Sequence, residues 1–348
     1  MKCTMGAFGN LGASCILKVM LMDSAKLSAK IFADDIAQAP TRDGFGKGSV
    51  EAGKADLNVV VLCADLTEST RAEWFEKEFP GRFVEVGIGE QNMAGLGSGF
   101  AAAGKVPFIA SYAAFNPGRN YEHIRTTIAL NEANVKICGM HAGVSVGPDG
   151  ATHQMLEDIG LMRMLPNMLV IAPGDAEEAR KAVLAAAKHH GPVYLRFGRA
   201  ATPVFTTPET PFEIGKALTL WDSDAPKVAL LSTSSLSYEA LKAAKALAKD
   251  GVESIVLHVP TIKPLDEAAI LSAAKRAGAV VTIEEHQANG GFGSAIAELL
   301  GEKQPTPQYR IGVRDQFGQS GDPAELIAHY ELDAPAIIRA AQTLITHV

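Results

Sequence analysis

Short apolar runs alternate with stretches of helical periodicity from residue 56 onward. The strand candidates in the first part of the chain are residues 58–65, 82–87, 106–113, 134–141, 167–173 and 192–197. Several of these runs are continuously apolar, which is typical of parallel strands covered by helices on both faces. Helix candidates lie between them at 119–132 and 176–190, and Asp175 is the expected N-cap of the second. The alternation predicts a doubly wound α/β domain.

A second alternating unit follows a change in composition. Residues 198–217 contain three prolines and four threonines without a long periodicity, which predicts a linker. Beyond it, the strand candidates are 228–235, 253–259 and 279–285, and the helix candidates are 236–250 and 266–277. The predicted organisation is an N-terminal extension without stable structure (1–26), a first α/β domain (27–205), and a linker with a second α/β domain (206–348).

Composition narrows the class of protein. The chain has 348 residues, 47% hydrophobic and 20% charged, which is enough for two hydrophobic cores. Its net charge of −7 argues against nucleic acid as a partner, because phosphate binding needs a basic face. Four cysteines without C-x-x-C spacing indicate neither a disulfide framework nor a zinc site, so we expect a reducing compartment, the cytoplasm. The apolar start of the chain is too short to span a bilayer and lacks a signal-peptide cleavage site, so no membrane association is expected.

The run "VEVGIGEQNMAGLGSGFAAAG" (84–104) places an ionisable group at the start of an apolar helix. Ser98 is the only polar side chain between residues 93 and 103, so this helix is expected to be buried nearly all round. Glu90 at its start has a common structural explanation, namely stabilisation by the helix dipole. Burial, however, favours the neutral form of a carboxyl group, which suits a group that donates and accepts protons.

A glycine-rich loop follows the strand candidate 134–141. His141, Asp149 and His153 bracket this loop, and ligand sites of α/β proteins gather where strands end. A lone histidine is more often structural than functional. For two histidines and an aspartate around one loop, a ligand site and a structural role are about equally favoured. Metal binding has no support from an H-x-x-x-H or H-E-x-x-H spacing.

Two further features lie at strand ends. Tyr112 and Phe115 straddle the end of one strand, where they form either a core pair or an aromatic platform for a flat heterocycle. Asp65 ends another strand and is followed by hydroxyl residues, which cap the next helix or bind a polar ligand. Neither a G-x-G-x-x-G fingerprint nor a P-loop is present.

Three motifs together resemble one enzyme family. "GIGEQNMAG" (87–95) and "DGATHQ" (149–154) resemble the pyrimidine-binding module of transketolase-type thiamine diphosphate enzymes, and "EEHQANGGFGSA" (284–295) resembles their C-terminal domain. The resemblance runs from about residue 27 to the end and is strongest to the C-terminal subunit of a split transketolase. It implies transfer of a two-carbon ketol unit between sugar phosphates. Other interpretations stay open: a 1-deoxyxylulose-5-phosphate synthase-like or other thiamine reaction, a non-catalytic paralogue, or a simple binding module.

The resemblance also implies roles for residues near the cofactor. The glutamate that matches Glu90 contacts the aminopyrimidine N1′ and promotes the tautomer that takes the proton from the thiazolium carbon. Phe115, with Tyr112 close by, would stack on the aminopyrimidine, and Asp65 would lie near the thiazolium side. Gly118 departs from the family pattern, because long-chain transketolases carry a tyrosine at that position.

A second group of residues would face the substrate. Asp149 and His153 would hydrogen-bond substrate hydroxyls near the reacting carbons, which makes them catalytic residues together with Glu90. His141 and Arg199 match positions that contact the sugar phosphate. His141 also favours a transketolase, because the deoxyxylulose synthase typically has an arginine there.

The half of the site that binds the diphosphate is missing from this sequence. Enzymes of this family hold the diphosphate through Mg²⁺ on a G-D-G…N motif, and the chain has no G-D-G. The resemblance therefore implies that a separate N-terminal subunit supplies Mg²⁺ and diphosphate binding, that no metal ligand lies in this chain, and that the assembly is α2β2. The active site would then lie at an interface between subunits.

Overall fold

The apolar runs predicted to be strands all form strands in the computed structural model, which describes residues 20–347. The strands are β1 (Gln38–Ala39), β2 (Val59–Cys63), β3 (Phe83–Glu85), β4 (Val106–Tyr112), β5 (Lys136–Met140), β6 (Leu169–Ile171), β7 (Val193–Arg196), β8 (Thr202–Pro203), β9 (Leu218–Trp221), β10 (Val228–Ser232), β11 (Ser254–His258), β12 (Thr261–Lys263), β13 (Val280–Gln287) and β14 (Gln308–Val313). Every residue of β2, β4 and β5 is buried, as expected for strands covered on both faces.

Helices connect these strands. They are α1 (Thr41–Ala55), α2 (Thr67–Thr70), α3 (Ala72–Glu78), α4 (Glu90–Ala102), α5 (Tyr121–His123), α6 (Asp158–Met164), α7 (Ala176–Lys188), α8 (Leu236–Lys249), α9 (Glu267–Ala277), α10 (Phe292–Lys303), α11 (Pro323–His329) and α12 (Ala334–His347). Helix α5 continues as a π-helix over Ile124–Ala129, and single 3₁₀ turns occur at Asp23–Ala25, Pro80–Arg82 and Val144–Val146. The predicted N-cap of α7 is confirmed, because Asp175 Oδ1 accepts a hydrogen bond of 2.9 Å from the Glu178 N–H.

The strands form two mixed sheets. The first has seven strands in the order β12-β6-β7-β5-β4-β2-β3, and the second has five in the order β14-β13-β10-β11-β9. All neighbours are parallel except the edge strands β12 and β9, which pair antiparallel. The prediction of two doubly wound α/β domains is thereby confirmed. In the first sheet β2, β4 and β5 are neighbours, so their carboxyl ends meet at one edge.

The two halves of the chain exchange segments. Strand β12 belongs to the second half of the sequence but adds an antiparallel edge to the first sheet, where Thr261 pairs with Ile171. Strands β1 and β8 form a separate two-stranded ribbon at the start of the predicted linker. The domain bounds 27–205 and 206–348 stay predictions. Strand β12 lies within the second range but belongs to the first sheet.

The predicted N-terminal extension divides into two parts. Residues 1–19 lie outside the described part of the chain. Residues 20–26 pack on the second sheet: the Met22 N–H donates to the Leu220 carbonyl over 3.1 Å, and Ala25 is fully buried. The end of the extension is therefore structured, because its apolar residues cover the edge strand β9. Over residues 20–347, no helix combines the length and the apolarity needed to cross a membrane.

Helix α1 was not predicted from the sequence. It contains four glycines (Gly44, Gly46, Gly48 and Gly53), and each lowers helix propensity by roughly 1 kcal/mol relative to alanine. The fold needs this composition, because a Cβ on Gly44 would lie 2.2 Å from the Ala176 carbonyl oxygen at the start of α7. Close packing of α1 on α7 thus requires residues without side chains.

Candidate active site

The predicted site residues gather at the carboxyl edge of the first sheet. Tyr112 is the last residue of β4 and pairs with Met140 of β5, and His141 follows directly. Arg199 lies just beyond the end of β7, the next strand in the sheet. Because the strands are parallel, side chains that are far apart in sequence come together here.

Glu90 is the first residue of α4 and only 2% of its surface is exposed. Its Oε2 accepts a hydrogen bond of 2.9 Å from Arg119 Nη1, and its Oε1 is 3.4 Å from the Ser111 hydroxyl. The Asn120 side-chain amide donates to the Glu90 carbonyl over 3.0 Å. Two neighbouring side chains therefore hold the carboxyl group, and a third holds the backbone of the same residue. Arg119 was missed by sequence reasoning, because an arginine after a Pro-Gly turn carries no signal of its partner.

Helix α4 is not buried all round, and that expectation is wrong for the chain by itself. Its buried residues are Glu90, Met93, Ala94 and Gly97. The opposite face is open: Leu96 is 38% exposed, and the nearby Ile88 and Leu130 are 77% and 72% exposed. Packing on β4 accounts for one side of the helix only. These three side chains, with the exposed glycines Gly95 and Gly99, are called the α4 face below.

The aromatic residues form a stacked pair beside Glu90. The rings of Tyr112 and Phe115 lie 6.1 Å apart and are inclined by only 15°. The Arg119 guanidinium carbon is 4.9 Å from the centre of the Phe115 ring, so one arginine contacts both the carboxyl group and the aromatic pair. His153 packs edge-on against Phe115 at 5.5 Å. The pair thus connects Glu90 to the loop that carries His153.

His141 is buried, and its ring lies 4.2 Å from that of Tyr112. Arg42 Nη1 is 3.0 Å from His141 Nε2. A guanidinium can only donate, so Nε2 is the acceptor and the ring proton is on Nδ1. Among the described residues Nδ1 has no hydrogen-bond partner. Burial, followed by the positive charges of Arg42 and Arg199, lowers the pKa of His141 to about 3, so the ring is neutral near pH 7.

Arg42 is a second residue that the sequence did not reveal. It lies in the first turn of α1, and its Nη1 also donates to the Ser69 carbonyl over 2.8 Å. Burial, followed by the charge of the neighbouring Arg71, lowers the pKa of Arg42 below its ordinary value. Together with Arg199, these arginines make this end of the site cationic.

The glycine-rich loop lies against Arg199. Arg199 Nη1 donates to the Val146 carbonyl over 2.8 Å and lies 3.5 Å from Asp149 Oδ1. Thr152 contacts His153 Nδ1 over 2.8 Å. Asp149 and His153 are thus placed on the same side as the cationic end of the site.

Asp65 lies at the same edge but is not part of this set of contacts. Its backbone N–H donates to Glu85 Oε1 over 2.7 Å, while its own carboxylate is exposed and forms no hydrogen bond within the described residues. The Thr67 hydroxyl donates to the other Glu85 oxygen over 2.7 Å, which ties the ends of β2 and β3 together. In the described part of the chain, no group of three His, Cys, Asp or Glu side chains is arranged to hold a metal ion.

The structure therefore brings together seven of the eight predicted site residues. They are Glu90, Tyr112, Phe115, His141, Asp149, His153 and Arg199. The set offers a buried carboxyl group, a flat aromatic surface and a cationic end with a neutral histidine donor. Such a site suits a ligand that has a flat ring at one end and a phosphate at the other.

Comparison with known proteins gives two family matches. Residues 37–204 match the pyrimidine binding domain of transketolase, and residues 215–337 match the C-terminal domain of transketolase. The two matches follow each other along the chain and cover both sheets.

Individual relatives are similar over most of the chain. A putative transketolase C-terminal section from Methanocaldococcus jannaschii is 42% identical over 86% of this chain and 94% of its own length. A 6-deoxy-6-sulfo-D-fructose transketolase subunit from Clostridium sp. (strain MSTE9) is 39% identical over 86% of this chain and 92% of its own length. Transketolase from Mus musculus is 36% identical over 88% of this chain but only 49% of its own length.

A solved structure has a similar fold. It is described as a split gene transketolase, inactive beta4 tetramer, and is 41% identical to this chain with a TM-score of 0.82. The match covers 88% of this chain and 98% of that chain. The relatives that match end to end are described as a C-terminal section, a subunit and a split gene transketolase, whereas the mouse enzyme carries the matching part as half of a longer chain.

Proposed function

Because this chain belongs to the transketolase family, we propose that it is the catalytic C-terminal subunit of a thiamine diphosphate-dependent transketolase that moves a two-carbon ketol unit between sugar phosphates. The observation that carries the proposal is the buried Glu90 at the start of α4, beside the stacked Tyr112 and Phe115. A non-catalytic paralogue would have no need to keep this arrangement together with His141 and its unpartnered donor.

The site fits the pyrimidine end of thiamine diphosphate. The Phe115 ring, packed on Tyr112, would supply a flat surface for the pyrimidine, and the Glu90 carboxyl group would hydrogen-bond a ring nitrogen. Glu90 Oε1, whose contact with the Ser111 hydroxyl is long at 3.4 Å, would be the oxygen that meets the ring nitrogen. Asp65 would lie near the thiazolium side. When bound, thiamine diphosphate supplies the carbon nucleophile and the electron sink for ketol transfer.

The cationic end of the site fits a sugar phosphate. Arg199 and the half-buried Arg42 attract the phosphate, and the neutral His141 donates a hydrogen bond from Nδ1. Asp149 and His153 lie on the adjoining loop and would hold the substrate hydroxyls. Residues of this chain would therefore orient the substrate.

The active site is shared with a separate N-terminal subunit. Mouse transketolase is about twice as long as the segment that matches this chain, and we assign the counterpart of its remaining half to another polypeptide. The α4 face, with Ile88, Leu96 and Leu130 exposed, supports docking of that subunit next to Glu90. The partner would carry the G-D-G…N motif and hold Mg²⁺ and the diphosphate in a cytoplasmic α2β2 assembly. This chain would be inactive alone, as the solved beta4 relative is described to be.

The proposal is tested by calorimetric titration of thiamine diphosphate with Mg²⁺. We expect no binding to this chain alone and tight binding to its mixture with the N-terminal subunit. Tight, magnesium-dependent binding to the chain alone would place the diphosphate site here and end the two-subunit proposal.

The reaction is tested by feeding two substrate pairs to the mixture. Xylulose 5-phosphate with ribose 5-phosphate should give ketol transfer, whereas pyruvate with glyceraldehyde 3-phosphate should give no product. The reverse result would assign the chain to the deoxyxylulose phosphate reaction instead.

A further inference from the structure

The loop that carries Asp149 and His153 is held by the second α/β unit as well as by Arg199, which follows β7 of its own sheet. Its neck is closed by a bridge between Ala142 and Met155. Beyond this neck, the loop contacts strand β13 and the segment 316–323, which lie more than 120 residues further along the chain.

Glu285 of β13 forms the shortest of these contacts. It is 3% exposed, and its Oε1 accepts a hydrogen bond of 2.6 Å from the Ser145 N–H. A Cβ on Gly143 would lie 2.2 Å from the same oxygen, and Gly143 has a φ of +93°. The loop backbone therefore wraps closely around this carboxylate, at a position where only glycine fits.

Glu285 is also connected to the sheet that bears the site. Its carbonyl accepts a hydrogen bond of 2.7 Å from Arg196 Nη2, and Arg196 in turn pairs with Asp158 at 2.8 Å. Burial raises the pKa of Glu285, whereas the charge of Arg196 and the Ser145 N–H lower it. The Ser145 N–H thus holds the carboxylate, while Arg196 holds the main chain of the same residue.

Gln154 makes the reciprocal contact from the loop. Its side-chain amide is 3.0 Å from the Val144 carbonyl and 2.9 Å from the Gln319 carbonyl of the second unit. Gly150, with a φ of +72°, approaches Ser320 so closely that a Cβ there would lie 2.6 Å from its hydroxyl oxygen. Two separate segments of the second unit therefore define the path of the loop.

We propose that Glu285 is a positioning residue, through which the second α/β unit sets the conformation of the 143–156 loop and so the placement of Asp149 and His153. Its role in catalysis rests on the proposed function, whereas the mechanical coupling does not. The C-terminal domain then contributes to substrate turnover without touching substrate.

Four variants of the full chain test this proposal in the reconstituted two-subunit complex. Glu285→Ala should lower kcat/KM for the ketose phosphate by about 10- to 100-fold, because displaced catalytic groups lose orientation. Glu285→Gln should stay within about threefold, because its amide oxygen still accepts from Ser145. Glu285→Asp keeps the charge but is one methylene shorter, so it should lose the contact with Ser145 and show the same fall in kcat/KM. It takes the place of the alanine variant if that variant does not fold. Thiamine diphosphate affinity should be unchanged in all three.

Glu284→Gln is the matched control. Glu284 is the neighbouring buried carboxylate, and it accepts hydrogen bonds from the Phe292 and Gly293 N–H groups entirely within the second unit. This variant should lower Tm without lowering kcat/KM.

Hydrogen exchange of the chain alone separates this proposal from the proposed function. Amides 143–156 should exchange faster in Glu285→Ala or Glu285→Asp and be restored in Glu285→Gln, while β10 keeps its protection. Unchanged loop exchange, or equally fast exchange in Glu284→Gln, would overturn the proposal. If the wild-type complex showed no ketol transfer, the proposed function would fail, and the exchange data would still decide whether the loop is held by Glu285.

Discussion

At the scale of single residues, Glu90 is nearly buried while its cationic partner is half exposed. The Arg119 side chain is 45% exposed, whereas that of Glu90 is 2% exposed. The ion pair therefore spans the boundary between the core of this chain and the surface at which a cofactor or a partner arrives. A ligand that contacts Glu90 must come from the side on which Arg119 and Phe115 lie.

Replacement of Glu90 by glutamine tests this role directly. The glutamine side chain keeps the shape and a hydrogen bond to Arg119 but cannot exchange a proton, so turnover by the two-subunit complex should fall by about 10²- to 10⁴-fold. Tm of the chain should change little. Glu122→Gln is the control, because Glu122 is exposed in the neighbouring helix α5 and should retain full activity. Near-normal turnover of the Glu90→Gln complex would end the proposed mechanism.

His141 gives a prediction about pH. Its pKa is about 3 in the folded chain, below the ordinary value of 6.5, so the unfolded chain binds more protons between these values. The stability that comes from neutral His141 is fully present above pH 6.5 and is lost as the pH falls towards 3. His141→Gln should therefore reduce the drop in unfolding free energy between about pH 7 and pH 5, measured by urea denaturation. An equal drop in the two proteins would mean that His141 titrates normally.

The residues of the site differ in how far the sequence could predict them. Glu90 and His153 stand out because each carries charge or proton chemistry in an apolar or glycine-rich context. Arg42 does not, because it is 99 positions from the histidine whose proton it places, and only the fold brings the two together. The local sequence pattern shows which residues are adjacent in the chain. It does not show which residue will be the partner in the folded structure.

At the scale of elements, the glycines of α4 fall into two groups. A Cβ on Gly97 would lie 2.9 Å from Ile109 Cγ2, so that glycine is required by packing on β4. A Cβ on Gly95 or Gly99 would have no neighbouring atom within 4 Å, so nothing within the described residues requires these two glycines. A helical glycine that packing within the chain does not require indicates that the backbone of another molecule approaches there. This agrees with a partner subunit on the α4 face.

Alanine substitutions should separate these two groups. Gly95→Ala should raise the unfolding free energy of the chain alone by about 0.5–1 kcal/mol, through helix propensity. Gly97→Ala should lower it, because Ile109 must move. If the partner packs on the α4 face, Gly95→Ala should also weaken assembly of the two subunits. Denaturation of the chain and sedimentation of the mixture measure these effects, and a destabilised Gly95→Ala chain would contradict the open environment.

Strands and helices could be predicted where the spacing of their apolar residues follows a single periodicity. The continuous apolar runs indicated the long parallel strands, and α7 and α8 follow from helical periodicity and capping. Helix α1 was missed because its glycines serve packing on α7, and β12 was missed because three residues carry no period. Such elements exist because of tertiary contacts, which no local pattern records.

At the scale of the whole molecule, the two sheets are linked by buried polar contacts as well as by β12. His258 at the end of β11 contacts Glu178 of α7 over 2.7 Å and Ser237 of α8 over 2.6 Å, and all three are buried. Separate domains with mobile linkers rarely bury such a network between them. The chain should therefore behave as one cooperative unit, and this also explains how Glu285 can hold a loop of the first sheet.

Calorimetric unfolding tests this cooperativity. The wild-type chain should show a single transition, because neither sheet can open without exposing unpaired polar groups of the other. His258→Ala leaves the buried Glu178 carboxylate with only the Gly174 N–H and should destabilise the chain by about 2–4 kcal/mol, while His329→Ala, at an exposed position of α11, should have little effect. Two transitions in the wild-type chain would mean that the sheets unfold independently, and then Glu285 could not transmit order from one to the other at working temperature.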